Sequence, residues 1–324
     1  MLSLQSSHYA MGTEFELLLY GERETYLQSV SEAVFDEISR LEAQLSFYQP
    51  SSDLSELNRR AAFGAVTVDP RLFALLTRAK ALSAATGGAF DPTIAPLMRC
   101  WGFVGASGSL PTEAAIEEAR KIVGMQHVRL DADAYTVEFD AEGVQIDLGA
   151  IGKGYGVECA VELLREYEVT AALLHGGTST VYALGCPPDA EAWTVAVQRP
   201  FDSTPGSQLT QFALRDEALS VSAPHGKWFA SEGRRYGHVI DPRTGYPVGR
   251  SLLAALVTAS ATDSDALSTA LLTLGTEGLP LIGKLLPDAR ALVAVSPPSD
   301  VETNTTEKIC MVTWGMEGDA TRTF

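Results

Sequence analysis

TDSDALSTALLTLG, residues 262–275, sets Ala266, Leu267, Ala270, Leu271 and Leu274 at three- and four-residue spacing, the mark of a helix with one face on a core. Yet it opens on Asp263 and Asp265 and is laced with hydroxyls. Asp265 and Thr269 stand four apart, so on a helix they point the same way, a carboxylate one turn from a hydroxyl. Two readings of that pair stand side by side. One is structural: Thr262 as N-cap, Asp265 as a shortened capping-box partner, both acids complementing the helix dipole. The other is a hard-cation site, since Mg2+ takes oxygen ligands and is often held by one or two carboxylates plus substrate phosphates.

Outward from this helix, LLAALVTAS (252–260) reads as the strand that leads into it. Further strands are predicted at TAALLHGG (170–177), TVYALG (180–185), WTVAVQ (193–198), QLTQFAL (208–214) and ALSVS (218–222). A helix at YGVECAVELLREY (155–167) follows a predicted strand at VQIDLG (144–149). Toward the start, GTEFELLLYG (12–21) alternates as a half-buried strand and ETYLQSVSEAVFDEISRLEAQLS (24–46) is a long amphipathic helix, so the fold is expected to open strand then helix. A second helix is predicted near 70–85, a third at TEAAIEEARKIVG (112–124), and HVRLD and YTVEFD as strands around a turn at 131–134. The order is mixed, which makes the class α+β rather than a regular βαβ alternation, one domain over 1–324 with interleaved subdomains. Gly/Pro/Ser-rich loops fall at 104–112, 199–208 and 296–306, the last expected to be the most mobile. No internal repeat is present.

With 324 residues, 46% of them hydrophobic, the chain has ample material for a core. Its net charge of −17 argues against nucleic acid or an anionic membrane as a general partner, and means that an anionic ligand needs a local cation. Cys100, Cys159, Cys186 and Cys310 lie far apart, with no C-x-x-C and no His at metal-ligand spacing, and are expected to be buried reduced thiols. No apolar run approaches the ~18 residues of a spanning helix. The start lacks a basic segment followed by an apolar one, so no signal peptide is expected. Location is read as cytoplasmic, or as exported and membrane-associated if a leader has been removed.

Three further stretches could carry chemistry. IDLGAIGKGYGVE (146–158) places glycines and Lys153 between a predicted strand and helix, where backbone N–H groups and a helix N-terminus suit a phosphate. It matches neither a Walker A loop nor G-x-G-x-x-G, and a structural turn explains it as well. TGGAFDPTIAPLMRCWGF (86–103) breaks a helix with two glycines and sets Phe90 beside Asp91, a flat surface next to a polar edge. YGHVIDPRTGYPV (236–248) puts His238 just ahead of Ile240, Asp241 and a turn. A lone His is most often structural; in an active site it would be the natural proton acceptor near neutral pH.

In this order the segments MGTEF (11–15), LSFYQPSSDLSELN (45–58), TGGAFDPT (86–93), IDLGAIGKGYGVE (146–158), HVIDPRTGYPV (238–248) and SDALSTALLTLG (264–275) resemble the flavin transferase family known as ApbE, the FAD:protein FMN transferases. The resemblance covers most of the chain. It implies mixed, largely antiparallel sheets with packed helices. It also implies an enzyme that binds FAD and Mg2+, cuts the pyrophosphate, attaches FMN through its phosphate to a threonine or serine hydroxyl of another protein, and releases AMP. Carried over by position, it places Met11, Tyr48, Ala89, Phe90 and Asp91 around the flavin and its chain, and Asp147, Lys153 and Ile240 against FAD. The metal ligands it implies are the carbonyl of Ala150 and the side chains of Asp265 and Thr269, so that the outer face of the helix would hold a cation.

Such chemistry suits these residue types. A metal bridging pyrophosphate oxygens removes the repulsion that an incoming hydroxyl meets, more so in an acidic protein. His238 is then the candidate base and Lys153 a point charge on the phosphates. Two departures from the family pattern bear on how the adenosine or the acceptor is held: Thr178 in HGGTST, where an acid is common, and SAPHG (222–226), with Pro224, where a Ser-Gly turn and an acid are common. Alternatives are a Mg2+-dependent FAD pyrophosphatase, the same site with water as acceptor, and a carrier that holds FAD uncut. No Asp-x-x-[Ser/Thr]-Gly-Ala-[Ser/Thr] acceptor motif occurs, so a partner protein is implied rather than self-attachment.

Overall fold

The chain opens on a hairpin of which the sequence reading found only the second strand: β1 (Leu2–Ala10) pairs antiparallel with β2 (Thr13–Gly21). β2 buries Phe15, Leu17 and Leu19. β1 turns Ser6 and His8 to the same side and satisfies them on the next helix, with Ser6 Oγ 2.6 Å from Ser31 Oγ and His8 Nε2 2.7 Å from Ser39 Oγ. Its inward side is half polar, so no hydrophobic alternation marks it. The computed structural model describes residues 1–105, 108–200, 204, 206–224, 226–249, 251–296, 309–316 and 322–323. Of the 296–306 loop expected to be mobile, all but residue 296 lies outside them.

Next come α1 (Glu24–Leu45), α2 (Asp53–Arg60), β3 (Val66–Thr67), α3 (Pro70–Ala85), α4 (Ala95–Cys100) and α5 (Glu113–Arg120), then β4 (Val128–Asp131), β5 (Thr136–Phe139) and α6 (Gly152–Glu166). The second half holds β6 (Ala172–Gly176), β7 (Thr180–Leu184), β8 (Trp193–Gln198), β9 (Gln208–Leu214), β10 (Glu217–Ser222), β11 (Trp228–Ser231), β12 (Arg234–Gly237) and β13 (Ser251–Thr258). α7 (Ala261–Leu274), α8 (Leu279–Leu285), β14 (Arg290–Val295), β15 (Cys310–Trp314) and β16 (Arg322–Thr323) complete it. One nine-stranded sheet runs β1-β2-β6-β7-β10-β13-β14-β15-β16, every neighbouring pair antiparallel. The fold is thus α+β with largely antiparallel sheets. α1, α6 and α7 cover one face. On the other, the β8–β9 ribbon buries Val195, Val197, Phe212 and Leu214 against Leu219, Leu253 and Leu292.

α7 differs from the amphipathic helix expected. Eleven of its fourteen residues are buried, so Asp265 and Thr269 look into a cavity and not onto an outer face. Its hydroxyls are satisfied internally: Ser264 Oγ donates to the Leu256 carbonyl at 2.7 Å and Ser268 Oγ to the Asp265 carbonyl at 2.9 Å. Small side chains are what let the helix lie close on β10 and β13. Nor is Thr262 the N-cap; Ser260 is, accepting from the Asp263 N–H at 3.1 Å. Among the described residues, Ala261–Leu285 is the one helical stretch long and apolar enough to cross a membrane, and half of it is buried in this core.

Residues 144–148 form no strand, although VQIDLG reads as one. The side chain of Asn58 in α2 takes a partner strand's place: its Nδ2 donates to the Ile146 carbonyl and its Oδ1 accepts from the Ile146 N–H, both at 2.8 Å. Backbone hydrogen bonds must be met, and one primary amide meets two of them. α6 in turn begins at Gly152, before the Tyr155 expected, and takes Gly152 and Gly154 into the helix. A Cβ on Gly154 would lie 2.2 Å from the Ala261 carbonyl oxygen, so glycine is what lets α6 close onto α7. All four cysteines are free thiols, but only Cys159 is buried; the other three are half-buried.

Candidate active site

A cavity of about 460 Å³ opens where the 89–94 loop, the turn entering α6, the end of β10, the 238–242 segment and α7 converge. Tyr48, Ala89, Phe90, Asp91, Asp147, Ala150, Lys153, His238, Ile240, Asp265 and Thr269 all border it. Met11 does not. It forms the β1–β2 turn with φ of 51°, gives its N–H to Glu42 Oε1 at 2.8 Å, and lies against Gly156.

The two acids that open α7 divide sharply. Asp263 faces α3, in a bidentate pair with Arg78 whose Nε–Oδ1 arm is 2.7 Å. Glu158 of α6 adds a cap, accepting from Ser260 Oγ and the Thr262 N–H at 2.7 Å each. Asp265 faces the cavity. Its Oδ2 accepts from the Gly154 N–H at 2.9 Å, and Oδ1 has no hydrogen bond among the described residues. Thr269 Oγ1 lies 3.1 Å from Ser222 Oγ at the same wall. Ala150 borders the cavity as well, beside the Asp265 carboxylate and the Thr269 hydroxyl.

Asp91 is used differently from the polar edge expected. Its carboxylate accepts from Ser83 Oγ at 2.8 Å, the Thr93 N–H at 2.9 Å and the Met125 N–H at 3.1 Å, and from Thr93 Oγ1. It therefore fixes the loop that carries Ala89 and Phe90, with no acceptor site left for a ligand.

Opposite lies a charged and titratable group. Burial raises the Asp147 carboxyl pKa, against the pull of the Gly149 N–H at 2.8 Å and of Lys153 and Lys227. Tyr48 is raised by burial and by Asp147. Lys153 Nζ donates to the Gly149 carbonyl at 3.0 Å, which holds the ammonium at the cavity's rim. Burial lowers the His238 pKa, while the carbonyls of Lys227 and Pro224 pull the other way. His238 Nδ1 lies 3.2 Å from the Lys227 carbonyl and 3.4 Å from the Lys227 N–H; in the tautomer whose Nδ1–H donates to that carbonyl, Nε2 keeps its lone pair. Sequence reading missed Lys227, a second cation on this cavity, and Ser222. Lys227 stands beside the departing SAPHG segment, the one signal that pointed near it.

The ApbE family model matches residues 11–293. A FAD:protein FMN transferase of Klebsiella pneumoniae is 30% identical over 268 residues, 82% of this chain and 81% of that protein. One from Treponema pallidum is 30% identical over 282 residues, covering 82% and 77%. Among solved structures, the ApbE protein of Thermotoga maritima superposes with a TM-score of 0.83 at 27% identity, over 91% of this chain and 94% of that one. The apo flavinyl transferase ApbE of Pseudomonas stutzeri gives 0.80 at 27%, over 91% and 92%. Matched along most of its length in both sequence and fold, this chain belongs to the ApbE family.

Proposed function

We propose that this chain transfers FMN from FAD to a threonine or serine hydroxyl of an acceptor protein, with Mg2+ required and AMP released. The observation that carries the reading is the open Oδ1 of Asp265, on the same cavity as Lys153 and a neutral His238. The names of its relatives supply the substrate, FAD, and the kind of acceptor, a protein.

The donor set fits Mg2+. Among the described residues no three His, Cys, Asp or Glu cluster as a metal site, so α7 and the turn entering α6 would supply the Asp265 carboxylate, the Thr269 hydroxyl and the Ala150 carbonyl. That is the sparse all-oxygen arrangement an ion takes when substrate phosphates complete its shell. When bound, Mg2+ neutralises pyrophosphate charge and so eases in-line attack. Lys153 adds a point charge to the phosphates, the exposed ring of Tyr48 offers a face to a flavin, and Phe90 borders the same cavity from the core.

In the step itself the acceptor oxygen bonds to the FMN phosphorus, the bond to the AMP phosphate breaks, and His238 Nε2 takes the hydroxyl proton. A positioned base of this kind contributes about 10²–10⁴-fold. The test is purified protein with FAD and Mg2+, with and without a peptide carrying Asp-x-x-Thr-Gly-Ala-Thr, reading AMP and peptide mass. AMP with a peptide heavier by FMN supports transfer. AMP alone makes the chain a pyrophosphatase, and neither product makes it a carrier.

A further inference from the structure

His238 borders two cavities. The second, of about 980 Å³, shares Ser179, Val221, Ala223, Gly226 and His238 with the first, so the two adjoin at the proposed base. Its walls include Glu14 and Glu16 of β2 and, along one side, the consecutive residues Val195, Ala196, Val197 and Gln198 of β8. A strand that turned one face to a cavity would contribute every second residue. Four in a row means that the edge of β8 lines it.

Among the described residues that edge is unpaired: β8 bonds to β9 alone, and in an antiparallel ribbon alternate residues turn their N–H and C=O away from the partner. Among the described residues no other strand or side chain takes them up. Edges of this kind recruit an extended chain, with main-chain bonds supplying affinity.

We propose that an extended segment of the acceptor protein adds to the free edge of β8 and so delivers its hydroxyl to His238, where the two cavities meet. The inference rests on the transfer reaction proposed above. A polypeptide fits this edge better than the adenosine of FAD, because a nucleoside has no repeating N–H and C=O to match a row of them. Thr178, one of the two departures from the family pattern, borders this groove and not the first cavity, so it bears on acceptor binding.

The test is an amide scan. With the full chain, FAD and Mg2+, the acceptor peptide is N-methylated at one amide at a time around its threonine, and KM and kcat for transfer are read by mass. Strand addition predicts KM raised about tenfold at alternate positions, one hydrogen bond each, and little change at those between. Equal sensitivity at every position, or at none, overturns it while the transfer reaction stands. Ala196→Arg, which places a bulky charge on the exposed side of β8, is expected to raise the peptide KM. A dimer dissociated by Ala196→Arg would assign the edge to a second copy of the chain and overturn the proposal. FAD cleaved to FMN and AMP with no peptide product would remove the transfer reading, and this inference with it.

Discussion

Two acid-bearing segments meet at the same cavity, the loop after α3 with Asp91 and the start of α7 with Asp265, and they spend their carboxylates in opposite ways. Asp91 is 7% exposed and every bond it makes runs back into its own surroundings, to Ser83, Thr93 and Met125. Asp265 is 3% exposed, more buried still, yet one of its oxygens takes no donor among the described residues. Burial alone would have ranked them the wrong way round for chemistry. The balance of donors and acceptors separates a group that builds the wall from one that acts across it.

The contrast is broken or sharpened most by Asp265→Ala. Removing the carboxylate proposed to hold Mg2+ is expected to cost about 10³-fold or more in FAD turnover, while stability falls by only about 1 kcal/mol for the lost Gly154 bond. AMP release and the unfolding midpoint read the two; wild-type turnover would remove the metal assignment. Next is His238→Gln, expected to lose about 10²–10⁴-fold in transfer. Because burial holds this imidazole below its ordinary pKa of about 6.5, it is neutral at pH 7. The wild-type kcat/KM should therefore fall only as pH drops below about 6.5; an acid limb centred above that value would contradict the assignment.

Asp91→Ala should show the reverse signature. It strands four donors in a buried loop, at a cost of about 3 kcal/mol in chemical denaturation, with turnover per folded molecule far less affected than in Asp265→Ala. Gly154→Ala forces α6 off α7 and is expected to cost about 1–3 kcal/mol and to lower activity by displacing Lys153. Arg78→Ala is the smallest. Its guanidinium is about half exposed at 49%, so screening limits the loss to at most about 1 kcal/mol, and turnover should not change, since Asp263 faces away from the cavity.

Much of the framework was legible because it rests on periodicity. The alternation of β2, the apolar strands β6 to β10 and the stripe of α1 are each visible without neighbours. β1 was not, since its inward Ser6 and His8 look like surface residues until α1 supplies Ser31 and Ser39. The 144–148 segment misled because its strand partner is the side chain of Asn58, 88 positions away. The α7 stripe was read correctly as apolar, but how completely it is enclosed depends on β10, β13 and α6, which one helix cannot reveal. At the site, residue types were visible and their duties were not. Nothing local distinguishes Asp263 from Asp265; only Arg78 on one side and the cavity on the other do so.

The close approach at Gly154 has a consequence of its own. The amide that this glycine gives to Asp265 ties the helix bearing the ammonium to the helix bearing the carboxylate, so the two charges share one frame and cannot drift apart singly. Occupancy by a phosphate ligand should therefore be felt as slower deuterium uptake at that single buried N–H, a native probe of site closure that needs no label and no turnover.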